Sequence, residues 1–158
     1  MPRLLIIGGS DAGISAALRA RETAPEWTVS VALADEHPNY SICGLPFVIS
    51  GQTPSWEDLA HRTRREIEDA GVELLTGQQA DNLDLAAKTV ELKGAAGAGS
   101  QPYDSLVLAT GALSARPPLR GLGLPGVFFL RVRESGEKLH EWLAQSRARS
   151  AVIIGGGY

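Results

Sequence analysis

The sequence has little cysteine: Cys43 is the one thiol among 158 residues. A lone cysteine cannot form an internal disulfide, which excludes a disulfide-stabilised secreted fold and suits a reducing cytoplasm. Basic residues do not dominate, because 15 lysines and arginines stand against 18 acidic residues, and the net charge is −3. This balance excludes the basic surface of a typical nucleic-acid-binding protein. No apolar run approaches the roughly 20 residues that a membrane-spanning helix requires.

The glycines that the sequence does contain begin right after an apolar run. Residues 4–7 (LLII) predict a strand buried on both faces, and residues 8–13 (GGSDAG) predict a glycine-rich turn. Apolar residues at helical spacing follow, and they predict a helix that Pro25 ends. Residues 28–34 predict a second strand, which an acidic pair follows directly. Strand, glycine turn, helix, strand and acid in this order indicate a dinucleotide-binding βαβ unit.

This pattern assigns a task to each position of the turn. Gly8 makes the turn tight, the backbone N–H groups at the helix start face a pyrophosphate, and Gly13 lets the helix pack on the sheet. Ser10 stands where the usual GxGxxG pattern has its middle glycine, so its hydroxyl is a candidate ligand. Asp11 is predicted to be a capping-type acid at the helix start, which the helix dipole favours. Asp35 is the first choice for the ribose hydroxyls, and the full set of candidate cofactor-binding residues in this unit is Gly8, Gly9, Ser10, Asp11, Ala12, Gly13, Asp35 and Glu36.

The sequence predicts an α/β protein in three parts. Residues 1–112 are predicted to form a Rossmann-like domain with a parallel sheet, helices on both faces and an antiparallel β ribbon inserted at about residues 77–104. A buried strand is expected within residues 103–112. Residues 113–149 are predicted to be a connecting segment with a helix. Residues 150–158 (SAVIIGGGY) repeat the opening pattern and are expected to begin a second, truncated dinucleotide-binding domain.

Several shorter elements follow from local pattern. Thr63 and Glu66 match a capping box and predict a helix start. The small residues 94–100 predict a loop, residues 127–130 a short strand, and residues 135–147 a helix.

The segment 39–46 (NYSICGLP) holds the lone thiol just past the second predicted strand. The apolar residues after Cys43 predict a helix, and a position near a helix start favours the thiolate form. If the βαβ unit binds a flavin, the thiol is expected to lie close to the flavin ring. No second cysteine follows, which excludes a dithiol mechanism. His37 and His61 have no partners at metal-ligand spacing, so no metal site is predicted.

Four segments taken together resemble a known family, namely residues 7–13, 39–46, 108–111 and 152–158. In this order they are similar to the FAD-dependent pyridine nucleotide-disulfide oxidoreductases. Within that family they resemble the single-cysteine branch, which includes coenzyme A disulfide reductases, NADH oxidases, NADH peroxidases and persulfide reductases. In the peroxidases and many of the oxidases a histidine stands at the position of Asp11, so the resemblance argues against a peroxidase. The resemblance covers the whole chain and corresponds to the N-terminal portion of such an enzyme.

The resemblance implies an enzyme that reduces a disulfide, persulfide or oxygen species with NAD(P)H through FAD. Cys43 would be the redox centre, cycling between a thiolate and a sulfenic acid or a mixed disulfide with coenzyme A. The parent enzyme is expected to be a cytoplasmic homodimer that acts on a small molecule. The resemblance also implies further contacts, for FAD at Thr110 and Gly111, for NAD(P)H at Gly155 and Gly157, and for coenzyme A phosphates at Arg19 and Arg21.

Two alternatives remain at this stage. The parent could be a flavoprotein reductase of the ferredoxin- or nitrite-reductase type, which passes electrons to a protein partner and in which Cys43 is incidental. The chain could also be an FAD-binding fragment without catalysis. The 158 residues alone are expected to show no NAD(P)H-dependent turnover, because the predicted NAD(P)H helix and the later FAD segment fall beyond Tyr158.

Overall fold

The structure, a computed structural model, describes residues 1–95 and 97–155. The chain divides into two units: unit 1 comprises residues 1–41 and 59–112, and unit 2 comprises residues 42–58 and 113–158. Two short 3₁₀ helices lie at Ile42–Gly44 and Glu57–Leu59. The other elements are β1 (Arg3–Ile7), α1 (Asp11–Thr23), β2 (Thr28–Ala32), α2 (Leu45–Ile49), α3 (Arg64–Asp69), β3 (Val72–Leu75), β4 (Gln79–Asp84), β5 (Thr89–Gly94), β6 (Gly97–Pro102), β7 (Ser105–Leu108) and α4 (Arg133–Gln145).

Unit 1 is built on a four-stranded parallel sheet in the order β3-β2-β1-β7. Strand β1 lies in the interior, with Ile7 opposite Ala32 on one side and Leu108 on the other. Helix α1 connects the parallel strands β1 and β2, and β3 follows α3. The predicted α/β fold with a parallel sheet is therefore confirmed.

One face of this sheet is covered by helices. Alternate residues of a strand point to opposite faces, so Ile6 and Val31 share a face. The buried residues Ile14 and Ala17 of α1 and Ile67 of α3 pack into the same cluster. Burial of each large aliphatic side chain contributes about 1.5–3 kcal/mol, which makes this the cluster that fixes α1 against the sheet.

The other face is covered by a second sheet rather than by helices. Strands β4, β5 and β6 form an antiparallel sheet in that order. Leu5 and Ile7 of β1 pack there with Val90 and Leu92 of β5 and with Tyr103. The inserted antiparallel element is confirmed, but the prediction of helices on both faces is wrong in this respect. The alternating burial of β5 supplies an apolar face that takes the place of a helix.

The antiparallel sheet has three strands, whereas the predicted ribbon has two. The residues predicted as a small-residue loop, 94–100, largely form β6, which pairs with β5 from Thr89↔Pro102 to Gly94↔Gly97. Glycine and alanine have weak strand propensity. The hydrogen bonds between the backbones need no side chains, however, so pairing with β5 overrides that weak preference.

Three predicted strands differ from the structure. The strand expected within residues 103–112 is the short β7, which lies at the sheet edge and leaves Leu108 64% exposed. Residues 127–130 and the described residues 151–155 are not strands. An apolar run forms a strand only where a neighbouring strand completes its hydrogen bonds. Val152, at 89% exposure, shows that its segment has not entered a core.

Unit 2 contains α2 and α4. Gly136 of α4 packs against Trp56 and Leu45, where a Cβ would come within 3.0 Å of the tryptophan ring. Arg133 is buried and bonds Glu137 at 2.7 Å and Glu57 at 2.9 Å. Burial works to lower the pKa of Arg133, but the hydrogen bonds to the two carboxylates outweigh it and raise the pKa. The helix expected at residues 135–147 is α4, Arg133–Gln145, which begins and ends two residues earlier than predicted.

Candidate functional site

The glycine turn between β1 and α1 admits no side chain at two positions. Gly8 has φ +116°, and a Cβ there would overlap the carbonyl oxygen of Ala109. A Cβ at Gly13 would overlap the carbonyl oxygen of Gly8, because α1 crosses the turn at close range. At Gly9 a Cβ would come within 2.6 Å of the Leu33 side chain, which is more easily displaced than backbone. The turn therefore has no room for a side chain at Gly8 or Gly13.

The start of α1 leaves its N–H groups open. Ser10 is the N-cap in an extended conformation, and its side chain makes no capping hydrogen bond. Its carbonyl accepts the first helical hydrogen bond from the Ile14 N–H at 3.0 Å. The first N–H groups of a helix have no partner within the helix, and the dipole makes this end favourable for an anion. The glycine turn lacks side chains at Gly8 and Gly13, so the backbone can approach a ligand closely. The turn and this end of α1 together fit a pyrophosphate.

Asp11 does not cap its helix. Its Oδ1 accepts a hydrogen bond from Asn39 Nδ2 at 2.7 Å and lies 2.9 Å from His61 Nδ1. We predicted a capping-type acid, but the Asp11 carboxylate instead forms a cluster with the Asn39 and His61 side chains. Asn39 and His61 were not recognised as parts of a site, and positions 28 and 50 residues away from Asp11 give no local pattern that would reveal them.

The acidic pair lies beyond the carboxyl end of β2. Asp35 Oδ1 accepts from the N–H of His37 at 2.8 Å, and the Asp35 carbonyl accepts from the N–H of Gly77. The Glu36 carboxylate lies over Gly77, where it would overlap a Cβ, and 4.0 Å from the Arg64 guanidinium. Both acids stand at the same edge of the sheet as the glycine turn, because parallel strands end together.

Thr110 and Gly111 lie beside the glycine turn. The N–H of Ala109 donates to the carbonyl of Ile7 at 2.8 Å, which continues the β1–β7 pairing past the strand end. A Cβ on Gly8 would lie 3.3 Å from the Thr110 nitrogen, and Gly111 has φ +67°. The structure thus brings two widely separated segments of the predicted cofactor site together.

Cys43 lies in unit 2 and is exposed. It occupies the 3₁₀ turn Ile42–Gly44, which α2 follows directly with Pro46 in its first turn. The position of the thiol just before a helix is as predicted, although α2 has five residues. An exposed thiol next to a short helix is accessible to a small-molecule sulfur compound.

Four other predicted positions stay predictions. Gly155 has φ +99° with no atom near its absent Cβ, and Gly157 lies outside the described residues. Arg19 pairs with Glu22 at 2.9 Å on the exposed side of α1. Arg21 donates to the carbonyls of Pro25 and Trp27, so its guanidinium holds the chain that leaves α1.

Two observations concern the whole of the described chain. Residues 1–95 and 97–155 contain no helix that is long and apolar enough to cross a membrane. No group of three or more histidine, cysteine or acidic side chains in these ranges is arranged to hold a metal ion.

The family of these residues is clear from comparison with known proteins. Residues 2–158 match the family described as pyridine nucleotide-disulphide oxidoreductase. The chain therefore belongs to this family, as the four sequence segments predicted.

Three proteins show the range of similar members. The NAD(P)H sulfur oxidoreductase (CoA-dependent) of Pyrococcus abyssi is 33% identical over 98% of this chain and 34% of its own length. The structure of a NAD-dependent persulfide reductase from A. fulgidus has a TM-score of 0.85 and 30% identity, over 90% of this chain and 27% of that one. Rhodocoxin reductase of Rhodococcus erythropolis is 32% identical over 98% of this chain and 35% of its own length. The chain spans about a third of the length of these curated relatives.

Proposed function

We propose that this chain is the FAD-binding portion of an NAD(P)H-dependent flavoprotein that reduces a sulfur substrate through Cys43. The observation that carries the proposal is the exposed lone thiol in segment 39–46, in a chain whose glycine turn fits a pyrophosphate. The similarity to a CoA-dependent sulfur oxidoreductase and to a persulfide reductase favours a coenzyme A-linked disulfide or persulfide as substrate.

The residues divide the task of holding FAD. The turn Gly8–Gly13, with Gly9, Ser10, Asp11 and Ala12 between, would surround the pyrophosphate at the start of α1. Asp35 would accept hydrogen bonds from the ribose hydroxyls, with Glu36 as the alternative acid. Thr110 and Gly111 would contact the cofactor from beside the turn. When bound, FAD supplies the two-electron chemistry that links NAD(P)H to sulfur.

The sulfur chemistry belongs to Cys43. Its thiolate attacks one sulfur of a disulfide, so a new S–S bond forms to Cys43 while the old one breaks and its electron pair leaves with the second sulfur as a thiolate. Two electrons from NAD(P)H and one proton then reduce the mixed disulfide. This step releases the bound half as a thiol and returns Cys43 as a thiolate. One cysteine is enough because the substrate supplies the second sulfur.

The setting of the enzyme is part of the proposal. A lone reduced cysteine suits the cytoplasm, and a net charge of −3 gives no attraction to nucleic acid. We also propose that the parent is a homodimer, that Gly155 and Gly157 begin its NAD(P)H site, and that Arg19 and Arg21 contact coenzyme A phosphates.

The direct test is a titration of the purified chain with FAD. We expect saturable quenching of the FAD fluorescence and a flavin absorption spectrum that stays with the protein through gel filtration. Riboflavin is the matched control, because it carries the flavin ring without the pyrophosphate and is expected not to bind. A folded chain that binds neither compound would contradict the assignment of FAD binding to these residues.

The similarity to rhodocoxin reductase supports a second candidate, a reductase that passes electrons to a protein partner. Cys43→Ser in a full-length enzyme that contains this chain separates the two. If Cys43 is the redox centre, the variant loses reduction of coenzyme A disulfide and keeps NADH-dependent reduction of an artificial dye. If reduction of the disulfide persists in the variant, the second candidate is favoured.

A further inference from the structure

Asn39 is a buried polar residue that bonds the glycine turn. It is 0% exposed and has φ +53°, a left-handed conformation that is uncommon outside glycine. Its N–H donates to the carbonyl of Gly9 at 2.7 Å, and its carbonyl accepts from the N–H of His61 at 2.8 Å. Its side chain donates to Asp11 at 2.7 Å and accepts from Arg62 at 3.5 Å. All four polar groups of Asn39 are therefore in use.

Asn39 stands in a paired stretch of unit 1 that we call the neck, residues 39–41 and 59–61. The Ser41 N–H donates to the Leu59 carbonyl at 2.6 Å, and Tyr40 forms an antiparallel bridge with Ala60. The neck closes the point at which the chain leaves unit 1 and returns to it. The two segments of the neck are hydrogen-bonded to each other. This pairing fixes the backbone from which the Asn39 and His61 side chains reach Asp11.

Asp11 presents a problem for a phosphate site. It is the first residue of α1, and a carboxylate at this position is drawn to the same N–H groups that would bind a pyrophosphate. It would also repel the phosphate charge at short range. Among the described residues, however, the carboxylate of Asp11 is bonded to Asn39 Nδ2 and lies beside His61 Nδ1, both of them in the neck.

We propose that Asn39, with His61, is a positioning residue that holds the Asp11 carboxylate away from the open end of α1. The N–H groups of the first turn then stay available to the pyrophosphate. Asn39 acts at two points of the turn at once, because it bonds the backbone of Gly9 as well as the side chain of Asp11. This inference rests on the proposed binding of FAD at the glycine turn.

The test is the dissociation constant of FAD in Asn39→Gly, measured by quenching of flavin fluorescence. Glycine adopts φ +53° without strain, so the variant removes the side chain and keeps the backbone. The released carboxylate can then turn to the helix start, and we expect binding about tenfold weaker, as a like charge beside the phosphate requires. Lys88→Gly is the matched control, because Lys88 has φ +52° in the turn between β4 and β5. It is expected to leave the affinity unchanged.

Asp11→Asn separates a positioning role of Asn39 from a purely structural one. A purely structural role would change the FAD affinity equally with and without the charge of Asp11. In the Asp11→Asn background the released side chain carries no charge, so Asn39→Gly should change the affinity by less than about twofold. His61→Ala should weaken binding in the same direction and by less. If Asn39→Gly weakens FAD binding equally in both backgrounds, or not at all, the positioning role is wrong while FAD binding stands.

Amide hydrogen exchange of the ligand-free chain tests the same idea without cofactor. Asn39→Gly should increase the protection of the Ala12 and Gly13 N–H groups, because the freed Asp11 carboxylate caps them. Unchanged protection would overturn the inference. If the wild-type chain does not bind FAD, the proposed function fails for this chain, and the exchange measurement still decides whether Asn39 holds the carboxylate.

Discussion

Gly13 is a residue at which one added methyl group should have a large effect. Its Cβ would overlap the carbonyl oxygen of Gly8, and backbone cannot move aside as a flexible side chain can. We expect Gly13→Ala to lower the free energy of unfolding by about 1–3 kcal/mol and to abolish FAD binding. Thermal unfolding and FAD titration measure both effects.

Gly99→Ala is the control for this substitution. Gly99 lies in β6, and no atom lies within 4 Å of the position of its Cβ. The change in stability should stay within about 0.5 kcal/mol, as for an ordinary surface substitution. Equal behaviour of the two variants would contradict the close approach of α1 to the turn.

Cys43 permits a chemical prediction at the scale of a single residue. In the reduced chain its thiol should react with coenzyme A disulfide to give a mixed disulfide, seen by mass spectrometry as the addition of one coenzyme A. Cys43→Ser is the control, because this variant has no thiol and should take up no coenzyme A. A reduced wild-type chain that takes up no coenzyme A would contradict the accessibility of this exposed thiol.

How much of the candidate site could be predicted from the sequence depends on separation along the chain. Gly8, Gly13 and Asp35 could be predicted because one βαβ unit sets their spacing. The cluster of Asp11 with Asn39 and His61 could not, because the fold alone brings residues 28 and 50 positions apart into contact. Recognition of Thr110 likewise needed the resemblance to a family.

Helix α3 is the element whose start was predicted most fully. Glu66 N–H donates to the Thr63 hydroxyl at 3.2 Å, and Thr63 N–H donates to the Glu66 carboxylate at 2.7 Å. We expect Thr63→Ala to destabilise unit 1 by about 1 kcal/mol in chemical denaturation, because both bonds of the box are weakened. Thr23→Ala is the control, since that hydroxyl bonds a carbonyl of its own helix. A similar loss in the two variants would contradict the role of the cap.

The same capping box predicts a dependence on pH. The pKa of Glu66 lies below its usual value, because the carboxylate accepts hydrogen bonds from the Thr63 N–H and then from its hydroxyl. The ionised form is therefore the one that stabilises the fold. Its contribution is complete above the ordinary glutamate pKa of about 4.3 and is lost as the pH falls through the lower value in the folded chain.

The stability of Glu66→Gln should accordingly fall below that of the wild type at pH 7 and approach it below about pH 4. Denaturant unfolding at a series of pH values measures the difference. Glu26→Gln, at an exposed position, is the control. A gap between wild type and Glu66→Gln that stays constant with pH would contradict the role of the ionised carboxylate.

At the scale of elements, the strands of the parallel sheet were easier to predict than their neighbours. Strand β1, Arg3–Ile7, contains the whole of the predicted apolar run 4–7. Strand β6 was not predicted, because its small residues show no strand pattern and pair through backbone hydrogen bonds alone. Residues 151–155 were wrongly predicted as a strand, because an apolar run needs a neighbouring strand to pair with. In each case the outcome depends on a neighbour that lies elsewhere in the chain.

For the whole molecule, we expect the purified 158-residue chain to consume no NADH, even with FAD and coenzyme A disulfide present. The chain spans about a third of the length of its curated relatives. Residues 151–155 form no strand, so the first part of the predicted NAD(P)H unit is not assembled. Absorbance at 340 nm follows the reaction, and steady NADH consumption that heat denaturation abolishes would contradict this expectation.

The position of β1 also has a consequence for how the protein emerges from a ribosome. Strand β1 is interior, and one of its neighbours, β7, is made about 100 residues later, with Ile7 opposite Leu108. Until that segment has been synthesised, one side of an apolar strand remains unpaired and can associate with other nascent chains. Translation must therefore pass residue 108 before the sheet can close, so a chaperone that shields the first strand during this interval should raise the yield of folded chain.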